Sequence, residues 1–314
     1  MNSTVVMTTY NGEKYILEML QSILKQTRQP DEVLIFDDNS SDNTIKIVND
    51  FISFHKLDNW KCIINPNNLG WENNFYQGII SAQSDVVFPA DQDDIWKETK
   101  IEKMMEAFEN NDRILLLSSN YEVLVEEGGE LSAPSNIVTA DDDYVSQIPF
   151  STNFNVIRRP GCVMGINKKI IALFSELWKP GYPHDSLLWM LSSLLHGNYI
   201  IRDELIIYRR HSSNASFGIS HNLNSKISDV KMVNHVNTWY EKSQFYSDEF
   251  SQEFENCKTL YKYRYELLIN RKLRYWFKLF FVRKNYYGKR QYMGDLYYYF
   301  KSIKERGKKN GFIK

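Results

Sequence analysis

Short apolar runs alternate with segments whose apolar positions recur three and four residues apart through the first two thirds of the chain. Residues 3–8 read as a strand ending in a turn at Tyr10-Asn11-Gly12. Residues 13–26 follow as a helix with Ile16, Leu17, Leu20, Ile23 and Leu24 on one side. A second strand at 32–36 leads to a helix over 44–55, capped by Asp42, with Ile45, Val48, Phe51 and Ile52 as its apolar face. A third strand at 61–64 turns through 65–70 into a helix at 72–82. A fourth at 85–88 runs into Asp91, a helix over 97–111 and a fifth strand at 114–118.

The pattern then loosens. Residues 121–125 read as a strand and 127–129 as its turn. A polar excursion follows over 131–149, in which Asp141-Asp142-Asp143 has no metal-loop spacing and reads as a solvated loop. A strand at 162–167, helices at 168–178 and 182–195, and short strands at 199–202 and 205–208 come next, then a polar loop at 209–214. Beyond Asn222 the pattern is helical to the end. Strands alternating with amphipathic helices predict an α/β protein whose mostly parallel sheet is covered on both faces. Ligands of such sheets lie beyond the carboxyl ends of the strands. Three polar clusters fall there, at 8–13, 37–42 and 91–94.

Composition adds a division of labour. The 314 residues can bury one large core or two, and 43% hydrophobic with 25% charged residues is ordinary for a globular chain. The net charge of -1 conceals a split: residues 258–314 hold 17 Lys and Arg against three acids, a net of +14, and the remainder carries -15. The predicted division is 1–221 for the sheet domain and 222–314 for a helical, basic and aromatic extension. Three cysteines without metal-ligand spacing predict reduced thiols and a cytosolic setting. No basic-then-apolar leader is read at the N-terminus, and no apolar run approaches the ~20 residues that span a bilayer.

The chemistry concentrates in Phe88-Pro89-Ala90-Asp91-Gln92-Asp93-Asp94-Ile95-Trp96. Carboxylates this close repel one another unless a cation neutralises them. Asp91 and Asp93 are two apart, so on an extended segment both leave on one face. Hard oxygen ligands of that kind suit Mn²⁺ or Mg²⁺ shared with substrate phosphates.

With Thr8-Thr9-Tyr10-Asn11-Gly12-Glu13, Phe36 to Thr44, Asn68-Leu69-Gly70 with Asn74, His184-Asp185, and Tyr208-Arg209-Arg210-His211 with Asn214, this stretch resembles the family 2 glycosyltransferases of GT-A fold. The resemblance covers about residues 3–215. The Asp-Gln-Asp-Asp-Ile-Trp form and the His-Asp pair are similar to bacterial rhamnosyltransferase-like members that build surface polysaccharide.

The resemblance implies roles. Thr8, Tyr10, Asn11, Glu13, Asp38, Asn74, Asp91 and Gln92 would hold a nucleotide-diphosphate sugar. Tyr10 would pack on the pyrimidine, Glu13 lie near the nucleoside, and Asp38 accept the ring N–H, the alternative for Asp38 being a turn residue that caps the next helix. Asp93 would bind the metal directly and Asp91 through water or on ribose, with His211 completing the metal or phosphate site. Asp94 would support them or cap the following helix. Arg209 or Arg210 would meet phosphate. Asp185 would be the catalytic base of an inverting displacement, or only a carboxylate at a helix N-terminus. Gly161, His184 and Trp96 would line the acceptor site, Trp96 being equally a core residue.

The expected partners are a nucleotide-diphosphate sugar, dTDP-rhamnose first and UDP-galactose or UDP-N-acetylglucosamine next, and a glycan or lipid-linked oligosaccharide acceptor. A sugar nucleotidyltransferase would want a Gly-rich, basic loop after the first strand, and residues 8–13 hold one Gly and no Arg. A silent scaffold of the same fold would gain nothing from the acidic cluster. The basic, aromatic tail suits an anionic membrane surface on the cytoplasmic side. Its alternative is packing within the protein or in a homodimer. No nucleic-acid recognition motif accompanies its charge.

Overall fold

The computed structural model describes residues 1–129, 136–212, 214, 223–288 and 290–311, with side chains to Lys304. The start of the predicted 131–149 excursion and the expected boundary at 221/222 lie outside the described residues. Nine strands form one sheet: β1 (Ser3–Thr9), β2 (Glu32–Asp37), β3 (Trp60–Ile64), β4 (Val86–Asp91), β5 (Ile95–Trp96), β6 (Leu116–Val125), β7 (Val145–Gln147), β8 (Met164–Asn167) and β9 (Asn198–Arg210). Their order is β3-β2-β1-β4-β8-β6-β9-β5, with β7 also on β9. The block β3-β2-β1-β4 is parallel throughout. Every residue of β1 is buried, which is why it reads as an unbroken apolar run rather than an alternation.

Helices α1 (Ile16–Leu24), α2 (Thr44–His55), α3 (Trp71–Ser81), α4 (Lys100–Asn110), α5 (Lys168–Leu177) and α6 (His184–Leu194) are where the period of 3.6 places them, each within about a turn of expectation. Asp42 does bond the start of α2: its Oδ1 accepts the Thr44 N–H at 2.9 Å, although Asn43 is the residue at the cap position.

The second half of the sheet departs from a simple parallel reading. β8 runs antiparallel to both β4 and β6. The two short strands predicted at 114–118 and 121–125 are one strand, β6, which pairs in parallel with β9 across a register irregularity at Ser119–Tyr121. The pair at 199–202 and 205–208 is likewise the single β9, since the polar Arg202-Asp203-Glu204 step remains in the strand. Two-residue β5 was not predicted. It pairs with Ile206 and Ile207 and folds the Asp93-Asp94 corner back over the sheet edge.

The chain divides into two compact units, Met1–Pro149 with Ile157–Ala215, and Phe150–Val156 with Ser216–Lys314. The second holds α7 (Leu223–Tyr240), α8 (Ser251–Leu268), α9 (Arg274–Phe281) and α10 (Gln291–Gly311). The 150–156 segment belongs to it through Phe150 and Phe154, whose rings lie 5.5 and 6.4 Å from those of Phe250 and Phe254, and through Asn155, which donates to the Tyr261 hydroxyl at 2.7 Å and accepts from the Cys257 thiol. Among the described helices none is long and apolar enough to cross a membrane. The three cysteines are free thiols.

Candidate active site

Strand register assembles the site. In the parallel block Thr8 pairs with Asp91 and Thr9 with Asp37, so the tips of β2, β1 and β4 end side by side. The three polar clusters therefore converge because three neighbouring parallel strands must all point their carboxyl ends the same way.

Two kinds of residue occupy these tips. The first kind has its polar atoms committed to holding loops. Gln92 exchanges a reciprocal pair of hydrogen bonds with the Tyr10 backbone, at 2.9 and 3.1 Å. A Cβ at Gly12 would stand 2.2 Å from Gln92 Oε1, so a side chain there would displace the Gln92 amide from the Tyr10 backbone. Asn11, at φ +47°, donates its N–H to Ser40 Oγ and accepts from the Ser41 N–H. Glu13 Oε2 accepts from both nitrogens of Asn43. Asp38 accepts from Asn65 Nδ2, the Leu69 N–H and the Gly70 N–H within 2.9 Å; it anchors the loop before α3 and does not cap α2. Asn74 is buried, with its amide shared between Asn65 and the Phe36 carbonyl, which corrects its expected contact with donor.

Arg209 is engaged within the protein as it stands. Its Nε donates to the Asp93 carbonyl and its two Nη atoms go to Glu126 and Glu18, while its guanidinium lies 5.0 Å from the Tyr15 ring. Two carboxylates and a carbonyl consume the fork that phosphate would need. Arg210 packs along Tyr208, with Nη1 3.3 Å from its hydroxyl. Trp96 is 2% exposed and belongs to the core, so it lines no acceptor site.

The second kind presents chemistry. Tyr10 is 49% exposed at the rim. Asp93 Oδ2 meets His211 Nε2 at 2.9 Å and accepts from Asn214 Nδ2 at 2.9 Å; the His211 ring stacks on Tyr15 at 4.6 Å. Burial, then the charge of Asp93, with a smaller contribution from Asp185, pushes the half-buried Asp91 up to about 7. Asp91 thus lies within electrostatic reach of both Asp93 and Asp185, although 94 residues of chain separate it from Asp185.

Asp94 neither caps α4, whose cap position is Thr99, nor faces outward. Its Oδ1 accepts the Arg209 N–H at 3.0 Å and its buried Oδ2 has no partner. Asp91, Asp94 and the Cys162 sulfur offer atoms within 4.8 Å of one another. Burial and the two carboxylates push the Cys162 thiol well up, so it stays protonated and is a poor ligand for a hard cation. Asp91 and Asp94 are therefore the oxygen pair suited to such a cation, whereas Asp93, expected as the direct ligand, is paired with His211 and Asn214 and is not part of that group.

Gly161, His184 and Asp185 do come together. A Cβ at Gly161 would meet His184 Nε2 at 2.6 Å and Asp185 Cβ at 3.2 Å. His184 is buried against Phe75, ring centroids 4.1 Å apart, and burial lowers its pKa. A neutral ring packed there, 3% exposed and with neither nitrogen hydrogen-bonded, does not reach solvent for an acceptor. Asp185 lies half-buried in the first turn of α6 and accepts the Ser186 N–H at 2.6 Å.

Sequence reasoning did not assign roles to Asn214, Tyr15, Glu126, Cys162 or Lys100. Asn214 was visible as part of the Arg-Arg-His motif. Lys100 was not: its ammonium is fully buried 4.4 Å from the centre of the Trp96 ring, and burial draws it down to about 7.

Clustered carboxylates at a strand tip, with a further carboxylate at a helix start within electrostatic reach, suit an α/β enzyme that transfers a group from a phosphorylated donor. The comparisons narrow that class. The profile of glycosyl transferase family 2 matches residues 4–173, more than half of the chain. The protein belongs to glycosyl transferase family 2. It is 30% identical over 248 residues to the dTDP-rhamnosyl transferase RfbG of Shigella flexneri, covering 75% of this chain and 81% of the relative. A Haemophilus influenzae glycosyltransferase is 27% identical over 241 residues, 74% of this chain and 72% of its own. Among solved structures, residues 1–349 of S. aureus TarS in complex with UDP-GlcNAc superpose with a TM-score of 0.62 over 85% of this chain and 73% of that one, at 17% identity. That likeness establishes a GT-A-like fold.

Proposed function

We propose that the protein is a metal-dependent, inverting glycosyltransferase that moves rhamnose from dTDP-rhamnose to a glycan or lipid-linked acceptor during cell-surface polysaccharide synthesis. The observation that carries the chemistry is the cluster of Asp91 and Asp94 at the β4 tip, their oxygens within 4.8 Å of each other, an arrangement that a divalent cation would relieve. The donor reading is supported by the likeness to a dTDP-rhamnosyl transferase across three quarters of the chain.

In this reading Asp91, Asp93 and His211 would hold Mn²⁺ or Mg²⁺, which would supply charge stabilisation for a nucleoside-diphosphate leaving group. Tyr10, fixed by Gln92, offers its ring to the base. Asp38 keeps free lone pairs beyond the three bonds it accepts, so a pyrimidine N–H remains within its means. Asp185 takes the proton of the acceptor hydroxyl as the sugar is displaced, and His184 with Gly161 sets its position. Residues 1–221 would form the catalytic segment and 222–314 the part that keeps it at the cytoplasmic face of the membrane.

A donor screen tests this: nucleoside-diphosphate release from dTDP-rhamnose, UDP-galactose and UDP-N-acetylglucosamine, each with Mn²⁺ and with chelator. Release of dTDP only when metal is present is expected. Preference for a UDP-sugar would replace the donor, and equal rates with chelator would remove the metal.

A further inference from the structure

The two last helices carry large apolar side chains that are exposed. In α9 only Leu279 is buried, whereas Phe277, Phe280 and Phe281 are exposed, Phe281 at 81%. Spaced 0, 3 and 4, they share one helical face about 100° wide. In α10 exposed Met293, Tyr297 and Phe300, at 0, 4 and 7, form a second stripe. The helices are joined by the Trp276 and Tyr292 rings, stacked at 5.1 Å, and Phe280 meets Tyr292 edge-on at 6.4 Å. Six large apolar side chains left in water on neighbouring helices are more than scattered surface residues.

Cations surround them. Arg274 and Lys278 lie on α9, Arg283 and Lys284 directly after it, and Arg290 just before α10, all exposed. Arg283 is 3.9 Å from the Phe280 ring. From Leu267 to Lys304 there are ten Lys and Arg and a single acid, Asp295. That acid is 1% exposed and is held by the Arg264 guanidinium, so it offsets nothing at the surface.

We propose that this face of α9 and α10 is a docking surface for an anionic lipid bilayer, with the phenylalanines in the interface and the cations among the headgroups. This deepens the reading of the protein as a transferase with a lipid-linked acceptor, and rests on it for its biological sense. Three features select the bilayer. Exposed Phe and Met side chains gain from an apolar medium, which a nucleic-acid backbone does not offer. Two copies meeting face to face through an isologous contact would bring like charges together. A bilayer also accepts a helix lying flat, which agrees with the absence of a membrane-crossing helix among the described residues.

The test is co-sedimentation of the whole protein with phosphatidylcholine vesicles, with and without phosphatidylglycerol. Transfer to a soluble acceptor and sedimentation velocity are measured in parallel. Wild type should bind the anionic vesicles and leave them when salt shortens the Debye length to about 3 Å. Lys278→Glu with Lys284→Glu should weaken binding by at least about fivefold per site. Phe277→Ser with Phe281→Ser should weaken it by about tenfold or more. Transfer to the soluble acceptor should not change in either double variant, which also shows that they fold. Vesicle binding that ignores both double variants would overturn the proposal, as would no vesicle binding by wild type. So would a wild-type dimer that both double variants dissociate, because the face would then be a contact between copies. Loss of transfer to the soluble acceptor in wild type would count against the catalytic reading alone.

Discussion

Two buried acidic groupings in this chain are built in opposite ways. In the helical unit Asp295 receives two hydrogen bonds from Arg264, at 2.8 and 3.1 Å, and one from the Tyr286 hydroxyl at 2.6 Å. The Arg264 guanidinium is in turn 4.7 Å from the Tyr261 ring. Its charge is balanced on the spot. At the tip of β4, Asp91, Asp93 and Asp94 crowd one another; Asp94 Oδ2 has no hydrogen-bond partner, and among the described residues no Lys or Arg side chain bonds any of the three carboxylates, Arg209 reaching only the Asp93 carbonyl. Buried carboxylates satisfied by their own protein are architecture. Carboxylates crowded together with only the Lys100 ammonium and the His211 ring near them leave room for a cation, and that difference marks the candidate site more clearly than the Asp-x-Asp spacing does.

The comparison breaks or holds on mutation. Asp185→Asn should lower transfer by about 10²–10⁴-fold with Tm nearly unchanged, as expected for loss of a general base; measured turnover within twofold of wild type would remove Asp185 from that role. Asp295→Ala should do the reverse. It leaves Arg264 buried without its partner and should cost about 3–5 kcal/mol, read by denaturant unfolding. Asp91→Asn should separate the two properties in one variant. Removing one of the repelling charges should raise the metal-free Tm by about 2 °C or more while transfer is lost. Added Mn²⁺ at a hundredfold excess over its Kd should stabilise wild type by about 2.7 kcal/mol and Asp91→Asn much less.

The same crowding sets a pH dependence. The folded pKa of Asp91 is raised from 3.8 to about 7, so the folded state holds a proton that the unfolded chain releases. Its contribution to stability is therefore present below about pH 4 and is lost as pH rises through about 7. Metal-free wild type should lose Tm across that window and Asp91→Asn should show a flatter profile. Equal slopes would mean that the β4 tip is not under charge strain.

Much of this was legible in the sequence, and the reasons are specific. β1 to β4 declare themselves because they are short, apolar and separated by amphipathic helices, and their parallel order then dictates where Asp37, Asp91 and Thr8 end up. What sequence could not show is which polar groups at those tips are already engaged. Asn74, Gln92 and Arg209 look like ligand-binding residues in composition, yet their partners lie 38, 82 and as many as 191 residues away. β6 and β9 were each divided in two because polar residues interrupt their runs, and only the partner strand holds them extended. Lys100 gave no signal at all, since a cation at helical spacing reads as surface.

Arg209 offers the finest discrimination between a brace and a ligand, with the smallest expected effect. Glu126 is held at about 2 by the Tyr15 hydroxyl, the Lys14 ammonium and Arg209, well below the 4.5 of a free glutamate. A depressed carboxylate stabilises the fold above the unfolded pKa, and that contribution disappears as pH falls through about 2. Glu126→Gln should therefore lower Tm by a small, constant amount above about pH 4.5, and the gap from wild type should close toward pH 2. The effect stays small because the Glu126 side chain is 25% exposed and water screens it. Donor KM decides the rest. If Arg209 only ties β9 to α1 through Glu18 and Glu126, the donor KM of the variant should stay within about twofold of wild type. A tenfold fall in KM would mean that releasing Arg209 from Glu126 frees it for phosphate, and the guanidinium would then be a ligand held in reserve by its own carboxylates.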